Sequence, residues 1–81
     1  MSIERFKGSE FLVKEVRSRL LDIISIYDYA TVADYYDLIG HESKYSDNKI
    51  GWLSLQKATI VMATEPNMYE LVLPKPIPVG E

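Results

Sequence analysis

The chain has 81 residues, a formal net charge of −3 at pH 7 and no cysteine, which excludes disulfides and thiolate metal sites. Apolar residues make up 47% and charged residues 26%, the composition of a globular domain rather than of a disordered segment. No apolar run approaches the roughly 18 residues of a membrane span, and the N-terminus lacks the apolar core of a signal peptide. We therefore expect a single cytoplasmic domain over residues 1–81, without membrane contact.

The charges are unevenly distributed along the chain. Residues 1–20 carry a small basic excess, whereas residues 21–48 hold six carboxylates and only one lysine. Proteins that bind nucleic acid usually present a basic face. The acidic centre therefore disfavours a nucleic-acid partner and favours a protein partner, with a homo-oligomer left open.

The first strong pattern is that of a long helix after a leader. Residues 1–8 are expected to be a loose leader, and Ser9 can then act as the N-cap of a helix. Apolar side chains follow at steps of three and four, which predicts one buried face along a helix of about 18 residues. These side chains are Val13, Val16, Leu20, Ile23, Ile24 and Tyr27.

A second, shorter helix is predicted over residues 32–39. Thr31 and Asp34 have the spacing of a capping box, with Asp in place of the usual Glu. Gly40 suits the left-handed residue that ends a helix. The short connection to the first helix implies that the two helices pack closely.

The stretch SKYSDNKIGW, residues 43–52, is typical of a turn that leads into a tryptophan. Asp47 and Asn48 can satisfy backbone donors locally and so fix the turn. Apolar residues at steps of three then predict a third short helix over residues 51–58. These residues are Trp52, Leu55 and Ala58.

The last third of the chain changes to the pattern of strands. Residues 59–64 and 68–73 are rich in branched and aromatic side chains, and a Glu-Pro-Asn turn separates them. Together they predict a β-hairpin over residues 59–73. The proline-rich tail, residues 74–81, should run extended and leave the sheet.

The order of these elements, a helical part over residues 9–58 and then the hairpin, is that of a small winged-helix domain. The predicted fold class is α+β and winged-helix-like, with two or three short helices followed by a C-terminal β-hairpin. Because a lone hairpin is marginally stable in water, it must dock on the helices. A generic α+β domain with the same elements packed differently is the alternative.

Three segments together resemble a known module: TVADYYDLIG, YSDNKIGW and LPKPIP. They are similar to a small uncharacterised module in proteins of bacteriophages and prophages of Gram-positive hosts. The resemblance covers roughly residues 30–76, more than half of the chain. It implies a phage or prophage context, and it carries over no catalytic residue.

Residues suited to catalysis or metal binding are sparse. His41 is the only histidine and is expected in a surface loop, away from a nucleophile with an orienting acid. Asp47 and Asn48 superficially suggest a calcium loop, but Lys49 stands where that loop needs an oxygen ligand. No glycine-rich phosphate loop follows a strand. We therefore expect no enzyme activity, no metal and no cofactor.

Aromatic residues are concentrated between residues 27 and 52. Trp52 is expected to be a core residue that anchors the hairpin to the helices. Tyrosines half-buried with their hydroxyls in water can also serve an interface with a protein. The candidate interface aromatics are Tyr29, Tyr36 and Tyr45. Stacking on single-stranded bases is disfavoured because this part of the chain is acidic.

Two functions therefore remain as hypotheses. The first is a non-enzymatic interaction or assembly module of the phage or prophage type, with an unidentified protein partner. The alternative is a winged-helix DNA-binding regulator. In that alternative, lysines would contact phosphates, and Asn and Gln side chains would read bases. The candidates are Lys44, Lys49 and Lys57 for phosphates, and Asn48 and Gln56 for bases.

Overall fold

The computed structural model describes residues 3–80 and has a mixed α+β architecture. The described residues form two α-helices, α1 (Glu10–Tyr27) and α2 (Val32–Ile39), and two antiparallel sheets. The first sheet has the order β1-β5-β4, and its strands are β1 (Phe6–Gly8), β4 (Thr59–Met62) and β5 (Tyr69–Val72). The second has the order β2-β3-β6, with β2 (Ala30–Thr31), β3 (Ile50–Trp52) and β6 (Ile77–Pro78).

Helix α1 confirms the first predicted helix. The Ser9 hydroxyl accepts a hydrogen bond from the Leu12 N–H at 3.2 Å, which satisfies a donor that the first turn leaves free. The helix ends at Asp28, whose φ of 74° is left-handed and stops further helical hydrogen bonding. The buried side chains come from the predicted apolar face, and they are Val13, Val16 and Leu20.

Helix α2 confirms the second predicted helix, together with its capping box. The Asp34 N–H donates to the Thr31 hydroxyl at 3.0 Å, and the Thr31 N–H donates to the Asp34 carboxylate at 2.9 Å. Gly40 ends the helix in the left-handed conformation that glycine adopts without strain. Val32 and Tyr35 of this helix are fully buried.

The predicted loose leader over residues 1–8 is wrong for the part that the structure describes. Strand β1 pairs with β5 and forms one edge of the first sheet. Glu4, just before β1, accepts a hydrogen bond at its carbonyl from the Tyr35 hydroxyl and donates its N–H to the Tyr36 hydroxyl. The hydrogen-bond partners that fix this segment lie far away in the sequence. The local sequence of residues 1–8 therefore does not indicate that the segment is ordered. Residues 1 and 2 of the predicted leader lie outside the described residues.

The predicted third helix over residues 51–58 is also wrong. A 3₁₀ turn (Tyr45–Asn48) leads into strand β3, and a turn closed by a hydrogen bond from the Ala58 N–H to the Leu55 carbonyl follows. The structure buries Trp52, Leu55 and Ala58. A strand followed by a turn therefore brings apolar residues into the core at steps of three, which is also the spacing of a helix face. Without this helix the winged-helix arrangement is not confirmed, whereas the α+β class is.

Strands β4 and β5 pair antiparallel, with Thr59 opposite Val72 and Met62 opposite Tyr69. The connection between them includes Asn67, whose φ is 60°. The two strands are not an isolated C-terminal hairpin, because β1 also pairs with β5 and the chain continues to β6.

The predicted extended tail leaves the first sheet but joins the second, where β6 pairs with β3. Proline is tolerated there because β6 is an edge strand.

Both helices and strands of both sheets contribute to one hydrophobic cluster. Its fully buried large side chains are Val13, Leu20, Val32, Tyr35 and Leu71. Trp52 of β3 belongs to the same cluster, which links the second sheet to the helices. Within residues 3–80, neither helix combines the length and apolar character that a bilayer crossing requires.

Candidate functional site

The 3₁₀ turn before β3 is fixed by its own side chains, as the sequence predicts. The buried Asp47 carboxylate accepts a hydrogen bond from the Lys44 N–H at 2.7 Å, and the Asp47 N–H donates to the Lys44 carbonyl at 3.0 Å. The Asn48 side chain donates to the Tyr45 carbonyl at 3.2 Å. These bonds set the direction in which the chain enters β3.

Strand β3 passes unusually close to β2, and only glycine fits at its centre. A Cβ on Gly51 would lie 1.9 Å from the Ala30 carbonyl oxygen and 2.6 Å from the Thr31 Cα. Both neighbours are backbone atoms and cannot rotate away as a side chain could. The close pairing of β3 with β2 carries the next residue, Trp52, into the core.

Trp52 is a core residue, as predicted, and it links three parts of the chain. Its indole N–H donates to the Pro74 carbonyl at 2.7 Å. Its ring meets the Tyr35 ring edge to face, with centroids 6.0 Å apart and planes at 89°. Trp52 therefore holds the segment that follows β5 against α2.

The Tyr35 hydroxyl is buried and donates to the Glu4 carbonyl at 2.7 Å. Burial, which disfavours the charged phenolate, raises the pKa of Tyr35 to about 12, and the negative charge of nearby acidic groups adds to the rise. A neutral Tyr35 can keep donating its hydrogen bond far into the alkaline range. This bond fixes the start of β1 to helix α2.

Alkaline pH is therefore expected to destabilise the fold through Tyr35. The folded state holds the phenolic proton more tightly than the unfolded chain, so this contribution is complete below the unfolded pKa of 10. It is lost as the pH rises towards the folded pKa of about 12. Urea unfolding across this range measures the effect, and Tyr35→Phe, which cannot ionise, should show a shallower decline. An equal decline in both proteins would contradict the prediction.

A groove of about 300 Å³ opens beside Trp52, between the turn after β3 and the segment that leads into β6. We call it the basic groove, and its main lining residues are Trp52, Leu53, Gln56, Lys57, Lys75 and Ile77. Leu53 is 58% exposed and Ile77 is 45% exposed, so apolar surface remains in contact with water. Among residues 3–80, no acidic side chain lines the groove.

The two lysines of the basic groove have no ion-pair partner within the described residues. Every lysine or arginine ion pair in residues 3–80 involves another basic residue, namely Arg5, Lys7, Lys14 or Arg19. Lys57 and Lys75 therefore keep their positive charges available to a ligand. The groove combines exposed apolar surface with two lysines that lack a carboxylate partner in the described part of the chain, in a protein whose net charge is negative.

The five candidate nucleic-acid contacts are all exposed, but they do not line one groove. Gln56 and Lys57 lie in the basic groove. Lys44 lines a separate cavity that also contains three carboxylate residues, and Asn48 lines another cavity that contains Asp34. Lys49 lies beside the 3₁₀ turn. Acidic groups therefore accompany Lys44 and Asn48 outside the basic groove.

The three candidate interface aromatics have different environments. Tyr36 is buried, and its hydroxyl accepts a hydrogen bond from the Glu4 N–H at 3.2 Å, so its prediction as an interface residue is wrong. Its place on the core-facing side of α2 explains this burial. Tyr45 is 77% exposed, with the Lys49 ammonium 5.2 Å from its ring centroid. Tyr29 is half-buried and lines a cleft next to Tyr27.

His41 is exposed, as the sequence predicts, and lies against Tyr36, with ring centroids 4.6 Å apart. Its Nε2 atom is 3.9 Å from a carboxylate oxygen of Glu4. Among residues 3–80, no three side chains of the His, Asp or Glu types come together in a way that could hold a metal ion.

Sequence reasoning missed the half of the basic groove that comes from the tail. Lys75 and Ile77 lie in the tail that is expected to leave the sheet, so the sequence gives no reason to place them beside Trp52. The only local signal is a lysine between two prolines, which favours an extended chain that exposes it. No protein-family model, curated protein or solved structure matches the chain.

Proposed function

We propose that the chain is a non-enzymatic protein-interaction or assembly module, and that it binds an acidic segment with apolar side chains in the basic groove. The observation that carries this proposal is the pairing of exposed apolar surface with two lysines that have no carboxylate partner in residues 3–80. A protein segment with carboxylates and an apolar side chain would complement both features.

The exposed apolar surface of the basic groove favours binding of an apolar side chain of the partner. Burying the exposed surface of Leu53 and Ile77 gains roughly 25 cal/mol for each Å² removed from water. A volume of about 300 Å³ accommodates one or two large side chains of a partner. An aromatic or leucine side chain in the groove would bury this surface against Trp52.

The charged part supplies selectivity. Lys57 and Lys75 would attract carboxylates that flank the apolar side chain, and they would disfavour a basic segment. Because these lysines are partly solvated, their contribution is expected mainly in association rate and in dependence on salt.

The phage or prophage context belongs to the same proposal and rests on the resemblance of three segments. Contacts between those segments support the interpretation that they form one structural unit. Gly51 of the second segment pairs with Thr31 of the first, and Trp52 of the second donates to Pro74 of the third. The segments that carry the resemblance thus hold one another in place, and residues of the second and third line the basic groove.

A DNA-binding regulator is the second candidate, supported by the exposure of Lys44, Lys49 and Lys57. Two features weaken it. Residues 51–58 do not form the helix that would enter a major groove. Carboxylates also line the cavities that contain Lys44 and Asn48, and they repel phosphate.

Reversing both groove charges is expected to weaken binding of an acidic probe by about tenfold or more, equivalent to 1.4 kcal/mol. The probe is a short fluorescent peptide of glutamates around one leucine and one phenylalanine. Fluorescence anisotropy would compare the native protein with the Lys57→Glu/Lys75→Glu double variant. Lys44→Glu, which reverses an exposed lysine outside the groove, is the matched control and should bind with nearly native affinity.

NMR spectra of the labelled protein distinguish the two candidates. Shifts confined to the basic groove on adding the acidic peptide would support the protein-interaction proposal. A short DNA duplex that shifts residues 44–57 and loses this effect with salt would favour the DNA-binding candidate. A peptide with lysines in place of the glutamates that binds equally well would refute the proposed role of the two lysines.

A further inference from the structure

Strand β4 is an edge of the first sheet and pairs with no further strand within residues 3–80. The sequence around it, ATIVMAT over residues 58–64, contains no charge, no proline and no glycine. Val61 is 43% exposed and Met62 is 74% exposed. Natural edge strands usually carry charges or prolines that prevent pairing with other chains, and β4 has neither. The opposite edge, β1, has Lys7 at its centre.

The free backbone groups of β4 can be identified from the pairing with β5. The Ala63 N–H donates to the Met68 carbonyl at 2.9 Å, which makes these two residues a hydrogen-bonded pair of the ladder. Such pairs alternate along antiparallel strands, so Val61 is hydrogen-bonded to Glu70, its register partner. The N–H and C=O groups of Ile60 and Met62 consequently point away from β5, towards the free edge.

We propose that β4 pairs antiparallel with β4 of a second copy of this chain, around a two-fold axis at Val61. In this register Ile60 of each copy lies opposite Met62 of the other, and both residues present their outward N–H and C=O groups. The two Val61 side chains meet at the axis as a non-hydrogen-bonded pair. The exposed Met62 side chain lies beside Ile60 of the second copy.

Charge on both sides of β4 selects a second copy as the occupant. Lys57 precedes Val61 by four positions and Glu65 follows it by four. Antiparallel pairing centred on Val61 therefore places the Lys57 end of each copy beside the Glu65 end of the other, with Lys57 in the turn before β4 and Glu65 also 3.7 Å from Lys7 of its own chain. The edge is complementary to itself in hydrogen bonds, in apolar surface and in charge, as a two-fold interface requires.

Val61 does not line the basic groove, so its substitution tests self-association separately from the proposed function, although Lys57 belongs to both surfaces. Sedimentation equilibrium of the native protein from micromolar to millimolar concentration should show a reversible monomer–dimer equilibrium. Val61→Lys places two ammonium groups opposite each other at the axis and should weaken dimerisation at least about tenfold. Phe11→Lys, which replaces another exposed apolar residue on α1, is the matched control and should dimerise like the native protein.

A mixture of charge variants tests the register itself. Val61→Lys and Val61→Glu should each be mainly monomeric, whereas an equal mixture should form a heterodimer because opposite charges now meet at the axis. Hydrogen exchange gives a second readout that needs no substitution: the Ile60 and Met62 amides of the native protein should exchange more slowly as its concentration rises. Circular dichroism confirms that each variant is folded.

Three results would overturn the inference. The first is a native protein that stays monomeric up to millimolar concentration. The second is a native dimer that Val61→Lys leaves unchanged, since its interface must then lie elsewhere. The third is a mixture of Val61→Lys and Val61→Glu that stays monomeric while both variants are folded, because the two Val61 positions would then not face each other.

Discussion

Trp52→Ala is expected to lower the free energy of unfolding by about 3–5 kcal/mol, the usual cost of deleting a large buried aromatic side chain. The substitution removes the edge-to-face contact with Tyr35 and leaves a cavity in the single hydrophobic cluster. It also leaves the Pro74 carbonyl without its donor. Since native proteins are stable by only about 5–15 kcal/mol, this loss would remove a large fraction of the stability of the fold.

Urea unfolding followed by far-ultraviolet circular dichroism measures this loss without relying on the tryptophan that is removed. Trp52→Phe is the informative comparison because it keeps an aromatic ring and loses the N–H that reaches Pro74. It should cost less, about 1–3 kcal/mol, the range for a buried carbonyl left without a donor. A Trp52→Ala protein within 1 kcal/mol of the native one would contradict the role of Trp52 in the core.

Gly51→Ala should be similarly severe, with a loss of about 3 kcal/mol or more, at or above the upper range for overpacking. The added methyl group would lie 1.9 Å from the Ala30 carbonyl oxygen, so β2 and β3 would have to separate. This separation would move Trp52 and open one side of the basic groove. The same urea unfolding experiment measures the effect.

Gly40→Ala provides the control for Gly51→Ala because the two glycines are required for different reasons. Gly40 has a φ of 74° and open space around its Cα, so alanine there meets only the backbone cost of the left-handed conformation, about 1–2 kcal/mol. Gly51 has no positive φ and is limited by close approach alone. A smaller loss for Gly51→Ala than for Gly40→Ala would show that β2 and β3 can separate easily.

Elements defined by neighbouring residues could be predicted from the sequence, whereas elements defined by distant partners could not. Helices α1 and α2 carry their caps and their apolar faces within a few residues of each other, and both are confirmed. Strands β1, β3 and β6 have only two or three residues each and no periodicity of their own. These segments are extended because they pair with strands that are distant in the sequence.

The candidate site was predictable to a similar extent. Lys57 and Gln56 were identified because they follow a conspicuous turn and tryptophan. Lys75 reaches the same groove because the Trp52 indole binds the Pro74 carbonyl, a contact that spans 22 residues, and because β6 pairs with β3. The prediction for Tyr36 is wrong because the burial of two adjacent tyrosines cannot be read from their sequence, and both hydroxyls bind the backbone of Glu4, more than 30 positions away.

The pairing of β1 with β5 also affects how the chain folds during synthesis. Arg5, just before β1, forms its ion pair with Glu70, which follows it by 65 positions. The N-terminal segment therefore emerges from the ribosome long before its partner strand exists, and the first sheet can close only when most of the chain has been translated. Such non-local contacts slow folding. Helices α1 and α2 can pair early, but their apolar faces stay partly exposed to water until Leu71 of β5 completes the hydrophobic cluster.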